Sequence, residues 1–77
     1  MIVGFIFIKT RPKMEVRTYR DLMKVKEITE LTPLFGDYDL IAKIETRNFN
    51  ILSRIVLNKI RTLPGVEDTA TVPGTKI

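Results

Sequence analysis

Asp37, Tyr38 and Asp39 stand together behind Gly36, inside the run Leu34-Phe35-Gly36-Asp37-Tyr38-Asp39-Leu40-Ile41-Ala42-Lys43-Ile44. Two β-like runs meet at this Gly-Asp-Tyr-Asp tip. Glycine lets a backbone come close to a guest, and two carboxylates and a phenol converge beside it. Such a set suits holding a small zwitterion better than covalent chemistry. Two other uses of the same residues stay open. Gly-Asp favours a tight turn in which aspartate bonds its own backbone. Asp37 and Asp39, with Glu45 further along, also offer a carboxylate pair for acid–base work. A hard cation such as Ca²⁺ needs more oxygen ligands than these acids supply.

Other chemistries are excluded by composition. The chain has no cysteine and no histidine, and its one serine, Ser53, falls inside a helical pattern. A Ser-His-Asp set, a disulfide and the usual zinc and haem sites are therefore absent. No cofactor is indicated. Tyr19 reads either as a ligand lid or as the amphipathic end of a helix face. Thr69 and Thr71 alternate with Ala70 and Val72, which sets two hydroxyls on one strand face, able to hydrogen-bond a ligand. They are also ordinary strand formers.

The elements that must position these residues follow from apolar periodicity. Met1 to Lys9 reads as a strand that is apolar on both parities through Ile2, Val3, Phe5, Ile6, Phe7 and Ile8. Pro12 can open a helix, whose apolar face is Val16, Tyr19, Leu22 and Met23. Ile28 to Phe35 reads as a second strand, and Pro33 makes it an edge or a bulged strand. Tyr38 to Thr46 is the third, with Tyr38, Leu40, Ala42 and Ile44 on one parity. Thr46 or Asn48 caps a second helix, with Phe49, Leu52, Ile55, Val56, Ile60 and Leu63 as its apolar face. Pro64-Gly65 stops it. Val66 to Val72 is the last strand, and Pro73-Gly74 ends the order.

The order β-α-β-β-α-β is the ferredoxin-like, α+β arrangement: a four-stranded antiparallel sheet with two helices on one face. The first and third strands become central. Helices cover one sheet face, yet the first strand is apolar on both, so a second copy packed sheet to sheet is expected as a homodimer. The 77 residues make one domain, 1–77, whose small core needs such help. The run Ile2 to Ile8 is too short to span a membrane and lacks signal-peptide flanks, so a cytoplasmic location is expected. The net charge of +4 is mild. Lys9, Arg11, Lys13, Arg17, Arg20, Lys24 and Lys26 are offset locally by Glu15 and Asp21 only, which reads as a solvated helix face or as a contact for an acidic partner or nucleic acid. RNA readers of this topology stack bases on third-strand aromatics, and Asp39 to Glu45 carries none.

With these residues on the page, the chain resembles the effector-binding domain of the Lrp/AsnC family of feast/famine regulators, also called RAM. The most specific part is Phe35 to Ile44, similar to the family's Gly-x-Tyr/Phe-Asp-Leu turn into an aliphatic strand. Ile55-Val56-Leu57-Asn58-Lys59-Ile60 with Leu63-Pro64-Gly65-Val66 resembles the family's second helix and its exit. Thr69-Ala70-Thr71 matches its Thr-rich last strand. The resemblance implies sheet-to-sheet dimers assembling into an octamer or decamer, with a free amino acid as effector bound between dimers. Gly36, Asp37, Tyr38, Asp39 and Leu40 would then form the hairpin wall of the pocket, Thr69 and Thr71 would contribute from the last strand, and Tyr19 would border the side-chain pocket. Asp39 or Asp37 would face the ligand ammonium, with backbone N–H groups and a threonine hydroxyl on its carboxylate.

The family's helix-turn-helix is missing from this sequence, so direct DNA binding is not implied. The expectation is a stand-alone effector-binding module, not an enzyme, with co-assembly with full-length regulators as a mode of action. The rival readings are a small dimeric ferredoxin-like enzyme of the monooxygenase or isomerase type, working with carboxylates alone, and an interaction module.

Overall fold

The computed structural model describes residues 1–75. Strands β1 (Ile2–Thr10), β2 (Ile28–Pro33), β3 (Leu40–Thr46) and β4 (Val66–Thr75) alternate with helices α1 (Glu15–Met23) and α2 (Phe49–Ile55), and α2 runs on as a π-helical segment, Val56–Ile60. The sheet order is β2-β3-β1-β4, and every pairing is antiparallel. This is the expected βαββαβ topology. β2 is an edge strand and is also irregular between Ile28 and Glu30, so Pro33 removes no hydrogen bond that a central ladder would need.

β1 shows its two faces plainly. Gly4, Ile6, Ile8 and Thr10 are buried, while Val3, Phe5 and Phe7 are half-buried. Ile6, Ile8, Leu22, Ile44, Leu52 and Ile60 are fully buried and fill the space between sheet and helices. On the face away from the helices, Phe5 stands between Lys43 and Val72, and Phe7 between Ile41 and Ala70. Among the described residues no helix is long and apolar enough to cross a membrane.

Four local expectations change. α1 opens at Glu15 and not at Pro12, because Lys13 adopts φ 69, a left-handed conformation that no α-helix contains. Its buried face is Thr18 and Leu22, with Val16 and Met23 exposed. Thr18 can be buried because its hydroxyl donates to the Met14 carbonyl at 2.7 Å. The short helix also docks there: a Cβ on Gly65 would lie 1.9 Å from Thr18 Oγ1, so only glycine permits this approach.

The remaining changes are at the second helix and the last strand. Of the two cap candidates read from the sequence, Asn48 is the one that caps α2, its Oδ1 accepting from the Ile51 amide at 3.0 Å, while the Thr46 hydroxyl braces the Asn48 carbonyl at 2.9 Å. Phe49, expected inward, is exposed and lines a surface groove beside Thr69 and Thr71 instead of the core. β4 does not end at Val72: Pro73, Gly74 and Thr75 stay in register opposite Gly4, Val3 and Ile2. A proline is tolerated there because β4 is the other edge strand.

Across the exits of the two helices, the Lys59 ammonium hydrogen-bonds the Glu27 carboxylate. That bond, with the charge behind it, holds the Glu27 carboxyl below its ordinary value of 4.5. A carboxylate lowered on folding stabilises the fold above its unfolded pKa, and the contribution is lost as pH falls through the folded value.

Two outcomes are expected. Gly65→Ala should lower the unfolding free energy by about 1–3 kcal/mol through overpacking. Gly74→Ala, whose Cβ would sit 3.6 Å from Val3 Cγ1, should be nearly silent. Urea denaturation of both variants compares them, and equal losses would refute the tight Thr18–Gly65 seam. Lys59→Met should be less stable than the parent near neutral pH by at most about 1 kcal/mol, because the pair is partly exposed. The gap should close as the pH drops below about 4, and a gap that persists in acid would assign the loss to packing.

Candidate ligand-binding site

The turn between β2 and β3 is held by main-chain bonds at both ends. Leu34 N–H donates to the Asp39 carbonyl at 2.8 Å, and Asp39 N–H donates to the Ile8 carbonyl at 2.9 Å. Gly36, with φ 125, makes the reversal at the tip. The ordered turn spans residues 34–39, longer than the four-residue tip read from the sequence.

Asp39 is the organising side chain. Its Oδ2 accepts from Thr10 N–H at 2.8 Å and from the Thr10 hydroxyl at 2.9 Å. Thr10 is buried, so this carboxylate oxygen satisfies the last amide of β1 where the ladder ends. The other oxygen, Oδ1, takes no hydrogen bond among the described residues.

A cavity of about 410 Å³ opens beside it, between this turn and the start of α1. Its polar lining is Thr10, Glu15, Tyr19 and Asp39, and its apolar walls are Val16, Pro33, Leu34 and Leu40. Among the described residues, two carboxylates and no cation line the space. It is chemically suited to an ammonium group carried on an apolar body.

The expected site residues divide into three places. Tyr19, Asp39 and Leu40 meet in this cavity. Gly36 and Asp37 are exposed at the tip of the turn. Tyr38 lies on the opposite sheet face, its ring 5.7 Å from that of Phe7 and tilted by 52°. It does not share a face with Leu40, because strand alternation begins only where β3 begins.

Thr69 and Thr71 line a separate groove of about 320 Å³ against α2 and the π segment, together with Ser53, Leu57 and Arg61. Leu40 and Thr69 are both register partners of Ile8, on opposite sides of β1. They stand two strand spacings apart, about 10 Å, with the fully buried Ile8 between them. Thr10 and Glu15 were not foreseen as site residues. Thr10 is 29 positions from Asp39, and only the β1–β3 register brings them together.

Residues 3–74 match the Lrp/AsnC ligand binding domain. The chain belongs to that family. It is 37% identical over 71 residues to the HTH-type transcriptional regulator FL11 of Pyrococcus abyssi, covering 92% of this chain and 46% of that regulator. It thus spans about half the length of such relatives. Among solved structures, a hypothetical protein of Pyrococcus horikoshii superposes with a TM-score of 0.87 at 30% identity, covering 100% of this chain and 93% of that one. AsnC of E. coli does so with a TM-score of 0.90 at 25% identity, covering 99% of this chain and 52% of that one. The match is to the ligand-binding half of such regulators. Membership in this family makes the Lrp/AsnC-type chain a ligand-binding domain.

Asp39→Ala should cost about 1–3 kcal/mol of stability, since it orphans the buried Thr10 amide. Asp39→Asn keeps one acceptor oxygen and should lose less. Chemical denaturation of both, with Thr10→Val as partner in a double-mutant cycle, reads the coupling. Two silent variants would show that the Asp39–Thr10 link does not support the turn.

Proposed function

We propose that this domain binds a free amino acid as effector, at a junction between copies of itself, and reports the ligand through its state of assembly. The observation that carries the reading is the cavity at Asp39. In a family of ligand-binding domains, it offers two carboxylates, the Tyr19 hydroxyl and apolar walls. A regulator of this fold from Neisseria meningitidis is known as an L-Met complex, with a TM-score of 0.86 at 22% identity.

In this reading Asp39 faces the ammonium, with the backbone of Gly36, Asp37 and Tyr38 closing the hairpin wall and Leu40 and Tyr19 bordering the side chain. Thr69 and Thr71 take the carboxylate. Ile8 blocks one ligand from touching both walls of a single chain, so the two walls come from neighbouring subunits. Sheet-to-sheet dimers cover Val3, Phe5, Phe7, Ile41 and Val72, and dimers meet as rings of eight or ten. Residues 1–77 act as one unit in the cytoplasm, and co-assembly with full-length regulators of the family transmits the signal. A ligand shifts such an equilibrium only by its differential affinity for the two states.

A thermal-unfolding scan against the twenty amino acids, paired with sedimentation velocity, tests the reading. One or a few amino acids should raise the melting temperature and change the sedimentation coefficient, because a ligand at a hundred times its Kd stabilises the folded state by about 2.7 kcal/mol. A flat response to all of them at millimolar concentration would overturn amino-acid sensing.

A further inference from the structure

Phe49, Ser53, Leu57 and Arg61 recur at every fourth residue. Around an ideal α-helix such a stripe drifts by about 40° per step. The π segment Val56–Ile60, closed by Arg61 N–H on the Val56 carbonyl at 2.8 Å, has wider turns that counter the drift. All four side chains consequently line one groove of about 320 Å³. Thr69 and Thr71 form its other wall, on the helix-covered face of the sheet opposite Ile8 and Ile6.

The polar lining of this groove is one guanidinium and three hydroxyls, from Arg61, Ser53, Thr69 and Thr71. Among the described residues none of these side chains has a hydrogen-bond or ion-pair partner. The cavity at Asp39 is different, since Thr10 and Asp39 already satisfy one another there. Uncommitted donors, a single positive charge and an apolar flank from Leu57 and Phe49 match one carboxylate on a small apolar body. A guanidinium fork pairs with a carboxylate through two parallel bonds.

We infer that Arg61, with the Ser53 hydroxyl, anchors the carboxylate of the effector beside Thr69 and Thr71. This deepens the amino-acid reading above and rests on it for the identity of the natural ligand. Arg61 also ends a helix, where any cation complements the dipole. Lysine would serve that role equally and the forked contact poorly, so Arg61→Lys separates the two.

The test is a backbone-amide NMR titration of the intact chain with 4-methylpentanoate and, separately, 3-methylbutylamine. The carboxylate should shift the Ser53, Thr69 and Thr71 amides saturably, and the amine should leave them still. Arg61→Gln and Arg61→Lys should each weaken carboxylate binding about tenfold, the loss of a charged hydrogen bond, while the melting temperature of Arg61→Lys stays at the parent value. Unmoved Thr69 and Thr71 amides, or variants that bind as tightly as the parent, would overturn the assignment. So would inorganic phosphate binding as tightly as the carboxylate. The two readings fail separately. Carboxylate binding with a flat amino-acid scan keeps the Arg61 site and removes the amino-acid effector. An amino-acid response that survives in Arg61→Gln removes the Arg61 site and keeps the effector.

Discussion

The architecture hangs on β1 as the strand between β3 and β4. Ile8 pairs with Leu40 on one side and Thr69 on the other, and its side chain is fully buried beneath the helices. Burying a side chain of this size contributes about 1.5–3 kcal/mol. It also fixes two distances at once, from β1 to the turn after β2 and from β1 to the last strand. The acidic cavity and the basic groove lie on either side of that strand, since Leu40 of the one and Thr69 of the other are register partners of the same isoleucine.

Asp39 has two duties that draw on different atoms. Oδ2 closes the end of β1 through Thr10, and Oδ1 is the atom that the proposed function assigns to the ligand. A carboxylate already held in place loses little further freedom when a ligand arrives, which favours binding. The same arrangement makes Asp39 a structural residue, so its loss disturbs the turn as well as the cavity. Glu15, anchored by the Lys13 amide at 3.2 Å, is a second acid on the same cavity with a lighter structural part.

The charge of the two recesses is opposed. Glu15 and Asp39 line one, and Arg61 lines the other. In the proposed assembly, a zwitterion laid across a junction of two subunits would meet the acidic wall of one and the basic wall of its neighbour in a single orientation. A uniformly charged small molecule gains from only one of them. Under that proposal, opposed walls would give selection for a zwitterion that neither recess provides alone.

The order of elements, the edge position of β2 and the two-faced apolar β1 were all readable in the residues. Alternation, Pro33 and the run from Ile2 to Ile8 are local signals. The choice of Asn48 over Thr46 as helix cap, the late start of α1 and the continuation of β4 through Pro73 were not, because each depends on what a neighbouring element offers. Lys13 in a left-handed conformation and a proline on an outer strand become acceptable only in the assembled sheet. The hairpin acids were visible as a cluster, yet their division was not: Asp39 faces α1, Tyr38 lies on Phe7 across the sheet, and Asp37 stays at the tip. The sequence by itself determined which side chains exist and the period on which each element repeats. Only the tertiary structure decided which of them meet, since Thr10 with Asp39 is a contact of register between segments far apart in the chain, and Phe49 and Ser53 come to line one groove with Thr69 and Thr71 only through the packing of α2 on β4.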